Sequence, residues 1–224
     1  MLDSSEILKT FKGTTPIFPL PNFVMFPKTA YSFNIFEPRY KELISDILSG
    51  DRFFCSTLLK EEKTDKIPEF YNHGTLCYVI EHKKKDNGNY NIIASGIKKV
   101  SISEIKSDHL YRMGKLKLMD DNNIVIEEQL KRKKLINKFI SSITSASNDF
   151  DIKSIDTSFI TTEMLTNLAC LILPLSNLDK QKLLELNDVG LRLEVLCQFM
   201  DSELKAENKI EQFNQVVPFD LDWN

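Results

Sequence analysis

The chain has 224 residues, 42% of them hydrophobic and 27% charged, with a formal net charge of −3. That is enough apolar material for one or two packed cores, and it gives no global positive field that would draw the molecule to nucleic acid or anionic lipid. The longest uninterrupted apolar run, Leu168–Leu173, is far too short to cross a bilayer, and the polar amino terminus MLDSSEILKTFKG lacks a signal-peptide core. A cytoplasmic protein with no membrane partner is expected.

Pro16 to Leu43 is the most informative stretch. Ile17-Phe18 and Phe23-Val24-Met25-Phe26 are apolar runs bounded by Pro16, Pro19, Pro21 and Pro27, a pattern that suits short strands ending at turns. Tyr31, Phe33 and Ile35 alternate with Ser32 and Asn34, the period of a half-buried strand. Pro38 then sits where a first helical residue tolerates it, with Glu37 as a cap and a stripe of Tyr40, Leu43, Ile44, Ile47 and Leu48 behind. A helix of about three turns follows.

Arg52–Leu59 is a buried-strand segment, Lys60–Glu69 a charged loop, and Gly74–Glu81 another strand. Asp86-Asn87-Gly88-Asn89 between two strands predicts a two-residue hairpin, because both central positions of the favoured turn need φ > 0. Val100, Ile102 and Glu104 share a face, so the alternation fails at Glu104 and the strand end leaves the core. Tyr111–Leu118 is a further strand. Six or so short strands with one embedded helix suit a closed or partly closed barrel.

From Ile124 the period becomes helical. Leu135, Phe139 and Ile143 form a stripe, with Glu127–Lys131 and Glu128–Arg132 as i,i+4 pairs. Ser145–Ser158 is polar and reads as a loop; Phe159–Leu173 is a helix that Pro174 ends. Ser176 and Asp179 make a capping-box-like start for Leu178–Leu186. Asp188 caps the last helix, whose stripe runs Leu191, Val195, Phe199, broadened by Leu196, Met200 and Leu204. The expectation is an α+β chain in three parts. Residues 14–120 form the barrel-like domain, 121–212 a carboxy-terminal helical bundle of four helices, and 213–224 a tail that docks on the barrel.

The wording FPLPNFVMFP, then a strand, then IFEPRY before an amphipathic helix resembles the amino-terminal, substrate-recognition domain of Lon proteases. That module also occurs in stand-alone bacterial proteins and, more distantly, in cereblon. GTLCYV (Gly74–Val79) and NIIASGIKKVSISEI (Asn91–Ile105) look like the family's G-T and G-x-x-R strands, with Lys99 in place of the arginine. LILPLSNLDKQKLLELNDVGLRLEVLCQFMDSEL (Leu171–Leu204) looks like its helical region. The resemblance implies a PUA-like β-barrel with an embedded helix. It also implies a role in proteolysis-related recognition of exposed apolar or unfolded polypeptide segments.

In Lon proteases an ATPase and a serine-lysine peptidase follow this module, and this chain is expected to hold neither. It has no G-x-x-x-x-G-K-[ST] loop, and seven glycines leave no other phosphate cradle. No G-x-S-x-G nucleophile motif occurs, nor S-x-x-K in the right context, so no catalytic residue is assigned and the chain is read as a non-enzyme. Cys55, Cys77, Cys170 and Cys197 are far apart in apolar runs and read as buried free thiols. His73, His82 and His109 are isolated. His73 and Cys77 share a strand face but lack further ligands, so neither metal nor cofactor is expected.

The polypeptide-binding residues assigned from sequence are Phe23, Phe26, Phe36, Arg39 and Tyr40, in a groove between barrel and helices, most of the aromatics being core. The competing class is a small-molecule or RNA-binding barrel. It would need a concave polar pocket, or a continuous basic strip through Lys83–Lys85, Lys98, Lys99 and Lys131–Lys134. Nucleic acid is not the expected partner, and the sequence leaves the oligomeric state open.

Overall fold

In the computed structural model the described residues are 4–60, 68–122, 131–133, 135–137, 160–202 and 216–217. The chain divides into two compact units, Met1–Asp120 and Asp121–Asn224.

The first unit begins with a short helix, α1 (Ser4–Lys9), and continues β1 (Thr14–Leu20), β2 (Ala30–Ile35), α2 (Pro38–Leu48), β3 (Phe53–Leu59), β4 (Phe70–Lys84), β5 (Tyr90–Ile105) and β6 (Arg112–Leu118). These six strands form one mixed sheet in the order β4-β3-β1-β6-β5-β2, with a further pairing of β4 to β5. Only β1 and β3 run parallel; the other pairs are antiparallel.

Strand β1 contains Pro16 and Pro19, so these prolines do not end strands as expected. The register explains why they are tolerated. β6 pairs with Thr14–Ile17 and β3 with Ile17–Leu20, so each proline has a neighbour on one side only and its missing N–H costs no ladder bond on the other. Alternation sends neighbouring side chains to different cores. Phe18, Phe33 and Phe54 join Tyr40, Leu43, Ile44 and Ile47 of α2 in one cluster, whereas Ile17, Phe53, Cys55, Leu76, Val100 and Ile102 form another, backed by Ile7, Leu8 and Phe11. Each large side chain so buried contributes about 1.5–3 kcal/mol, which is what holds a helix as short as α2 in place.

The run Phe23–Phe26 is not a strand. It is a strap laid over the sheet and fastened by the G-T and Gly96 positions of the sequence motifs. The Thr75 hydroxyl donates to the Met25 carbonyl at 2.6 Å. Gly96 N–H donates to the Thr29 carbonyl at 2.8 Å, Lys28 N–H to the Gly96 carbonyl at 2.7 Å, and the Thr29 hydroxyl to the Phe26 carbonyl at 2.7 Å. A Cβ on Gly96 would lie 2.2 Å from the Phe26 carbonyl oxygen, so only glycine lets the two backbones approach this closely.

The Asp86–Asn89 hairpin is present, with a different turn from the one expected. Gly88 N–H donates to the Lys85 carbonyl, Lys85 N–H to the Asn89 carbonyl, and Gly88 alone takes a positive φ, of 78°. That is a three-residue loop with a bulge glycine rather than a two-residue turn. At the far end of β5, Glu104 is exposed, as the broken alternation predicts, and is bound by Arg112 at 2.6 and 2.7 Å.

The second unit contains α3 (Thr162–Ile172), α4 (Asn177–Glu185) and α5 (Val189–Ser202). The caps of α4 and α5 are those the sequence motifs predict, whereas α3 starts later than the expected Phe159 and is capped by Thr161. The Thr161 hydroxyl accepts Met164 N–H, the Ser176 hydroxyl accepts Asp179 N–H, and the Asp188 carboxylate accepts Leu191 N–H at 2.9 Å. Of the expected apolar stripe of α5, Leu196 is buried as predicted but Leu191 and Val195 are exposed, and the buried face runs through Val189, Arg192, Leu193, Leu196 and Cys197. A charged residue at the centre of the buried face hides that face from a hydrophobicity pattern.

Arg192 is the hub of this unit, 1% exposed. Its guanidinium donates to the Leu183 carbonyl (3.1 Å), Asn167 Oδ1 (2.7 Å), Asp121 Oδ2 (2.8 Å) and the Leu186 carbonyl (2.7 Å). It thereby closes the carboxy-terminal end of α4 and ties it to α3. Lys180, also buried, does the same for α3 by donating to the Leu171 carbonyl at 2.9 Å. Two buried cations each neutralise the negative end of the preceding helix.

The predicted loop at Ser145–Ser158, the i,i+4 pairs beginning at Glu127 and Glu128, and the stripe residues Phe139 and Ile143 lie outside the described residues. So does the tail, apart from a two-residue strand, β7 (Val216–Val217). All four cysteines are buried free thiols. Burial pushes the Cys77 thiol far above its usual range and the Cys170 thiol up to about 12, which keeps both protonated and unreactive.

Candidate functional site

The residues assigned from sequence fall into three environments. Phe26, the last residue of the strap, is 0% exposed and is corrected to a core residue that no ligand reaches. Tyr40 is 7% exposed; its ring stands edge-on to Phe18 at 4.5 Å, and its hydroxyl donates to the Pro19 carbonyl at 3.3 Å. Burial raises its pKa above the usual tyrosine range. The Arg39 guanidinium lies over its ring at 4.6 Å.

Phe36 and Arg39 are surface residues. Phe36 is 62% exposed because it follows Ile35, the last inward-facing residue of β2, and so stands on the opposite side of the alternation. Arg39 is held by a two-point ion pair to Glu37 at 2.8 and 3.0 Å. That pairing occupies the carboxylate which the sequence suggested as a helix cap; Glu37 does precede the helix but makes no side-chain cap bond.

Phe23 is half-buried, against Tyr31 at 4.3 Å and Phe33 at 5.4 Å. Tyr31, also half-buried, was not singled out from sequence, although its place in the alternating strand signalled a partner for a nearby aromatic. Tyr31 and Phe36 are separated by five strand positions and face opposite sides, roughly 17 Å apart along the chain. The structure therefore stacks Arg39 on the Tyr40 ring, leaves Phe36 exposed just before α2, and pairs Phe23 with Tyr31.

The basic strip required by the competing class is broken. Lys99 is 2% exposed, and Lys98 is ion-paired to Asp120, whose carboxyl it holds below the usual range. Lys83, Lys84 and Lys85 are exposed around the hairpin tip, Lys84 lying over the Tyr90 ring at 5.4 Å. Lys131 is within 3.9 Å of Glu194. No helix among the described residues is long and apolar enough to cross a membrane.

Comparison with solved structures places the fold first. The chain matches the N-terminal domain of a Mycobacterium avium complex Lon protease with a TM-score of 0.66, over 85% of this chain and 100% of that one, at 14% identity. It matches the Lon N-terminal domain protein from Xanthomonas campestris with a TM-score of 0.61, over 83% and 98%, at 19% identity. The fold is thus the α+β fold of Lon N-terminal domains.

The family follows from the sequence comparison. Residues 14–202 match the model of the ATP-dependent protease La (LON) substrate-binding domain, and the chain belongs to that family. Among curated relatives, the Lon protease of Flavobacterium johnsoniae is 25% identical over 217 residues, 92% of this chain and 26% of that protein. The Lon protease of Escherichia coli K12 is 24% identical over 211 residues, 87% and 26%. The chain spans about a quarter of the length of these relatives. The domain matched is the substrate-binding one, not the ATPase or the peptidase.

Proposed function

We propose that this chain is a non-catalytic polypeptide-recognition module that binds unfolded or apolar segments. The observation that carries the reading is the match of the LON substrate-binding domain across 14–202. The succession of pairings β1–β3–β4–β5–β6 and back to β1 supports the barrel-like scaffold that the reading assumes. On that scaffold the contact surface is centred on Phe36 and Arg39. Phe36, exposed and close to Arg39 in the sequence, offers apolar area, and the Arg39 guanidinium packed on the Tyr40 ring offers a donor for backbone carbonyls. Phe23 and Tyr31 form a second, half-exposed aromatic contact.

Fluorescence anisotropy with a labelled unfolded polypeptide and a labelled single-stranded RNA, each over a range of salt, tests this. Saturable polypeptide binding that survives raised salt is the expected result. RNA binding that falls steeply with salt, without polypeptide binding, overturns it. Phe36→Asp is expected to weaken polypeptide binding by roughly tenfold while changing stability by less than about 0.5 kcal/mol, since the ring is mostly in water.

A further inference from the structure

We propose that Glu42, Asp46 and His109 form a binding site for a divalent first-row transition-metal ion, with Zn²⁺ the ion best matched by the donor set. Glu42 and Asp46 are four residues apart on α2, so one turn of helix carries both on the side away from its buried face of Tyr40, Leu43, Ile44 and Ile47. The connection between β5 and β6 brings His109 to the same place. Its Nδ1 lies 3.8 Å from Glu42 Oε1 and 3.9 Å from Asp46 Oδ2, and one donor atom from each of the three residues falls within 4.8 Å of the others.

Two carboxylates one turn apart repel each other. Among the described residues, His109 is the only basic side chain within ion-pair distance of either. A neutral imidazole with two carboxylates supplies the borderline nitrogen and hard oxygen donors that suit Zn²⁺ and its neighbours, and a charge of −2 to match the ion. Bonds of about 2.0–2.2 Å in a tetrahedron put ligand atoms about 3.3–3.6 Å apart, so the imidazole must close on the carboxylates by about half an ångström and the two carboxylates on each other by up to about 1.5 Å, within reach of side-chain rotation.

The orienting groups are already in place. The His109 ring stacks on the Tyr111 ring, centroids 4.7 Å apart and planes within 9°. Tyr111 is itself 5% exposed, and its hydroxyl donates to Asp46 Oδ2 at 2.7 Å. Leu110 N–H donates to Glu42 Oε1 at 3.3 Å. One buried tyrosine thus positions two of the three ligands, and the backbone beside it positions the third, the role that outer partners play around metal ligands. Asp46 and Tyr111 also line a cleft of about 520 Å³ that includes Lys12 and Asp51. With three protein ligands, a fourth position remains for water or for a group entering from that cleft.

Isothermal titration calorimetry of the tag-free full chain with ZnCl₂, and Co²⁺ absorption as a reporter of donor type, test the site. The expected result is one ion per chain with micromolar affinity, of the order of 10 µM. His109→Ala and Glu42→Gln should each weaken it by about tenfold or more, and Tyr111→Phe, which keeps every ligand, by about tenfold. A His73→Ala/His82→Ala variant should bind as the parent does. Absence of saturable binding up to about 1 mM ion, or binding unchanged in His109→Ala with its circular dichroism intact, overturns the proposal.

Discussion

Removing the guanidinium of Arg192 should unfold the helical unit at far lower denaturant. In Arg192→Met four acceptors lose their donor together: the carbonyls of Leu183 and Leu186, Asn167 Oδ1 and Asp121 Oδ2. Charge-assisted hydrogen bonds contribute about 1.5–3 kcal/mol each. Against that stand the desolvation of a charge whose side chain is 1% exposed and about 2 kcal/mol regained by a buried methionine. The net loss is about 3–5 kcal/mol. Asp121→Ala, which leaves the charge buried with one partner fewer, should cost about 3 kcal/mol, and Asp121→Asn, which keeps an acceptor, about 1–2 kcal/mol. Urea unfolding of the full chain followed by far-UV circular dichroism reads all three. Arg192→Met costing under about 1 kcal/mol, or Asp121→Asn costing as much as Asp121→Ala, would refute the reasoning, because it would mean that water already serves these acceptors or that the charge itself is irrelevant.

The strap predicts its own failures: Gly96→Ala, with a Cβ forced to 2.2 Å from the Phe26 carbonyl, should destabilise the first unit by about 3 kcal/mol or more. Thr75→Val, the same shape without the hydroxyl, should cost about 1–2 kcal/mol; both are checked by thermal unfolding in near-UV circular dichroism. Lys180 has its pKa lowered by burial from 10.5 to about 8, so between those values the unfolded chain holds a proton that the folded chain has released. Stability from this group therefore rises as pH increases from about 8 to about 10.5, by up to roughly 3 kcal/mol. The difference between wild type and Lys180→Met, read from urea midpoints at several pH values, isolates it from the thiols and phenols that titrate nearby; a difference flat with pH contradicts the assignment.

Much of the first unit was legible because its signals are local. Pro38 starts α2, the stripe behind it is buried, and the asparagine-glycine pair does turn β4 into β5. The strap was not legible, since Phe23–Phe26 is stabilised by groups on β4 and β5 that no local period reveals. The phase of α5 was lost to Arg192, which satisfies its charge with three carboxy-terminal and side-chain oxygens from neighbouring elements and with Asp121. In the candidate surface, hydrophobicity alone could not separate Phe26 from Phe36, yet the alternation ending at Ile35 already put Phe36 outside. Glu42 and Asp46 share a helical face by spacing, whereas His109 reaches them only through tertiary structure.

The strap also sets an order of events at the ribosome. Met25 finds its partner on Thr75, fifty residues later, and Thr29 finds its own on Gly96, later still. Long closures of this kind form slowly, so this apolar stretch of the nascent chain stays uncovered until β5 has been made. During that interval Phe23-Val24-Met25-Phe26 is itself an unfolded apolar segment. A finished copy of this module, if it recognises such segments, meets its first substrate in its own unfinished sister.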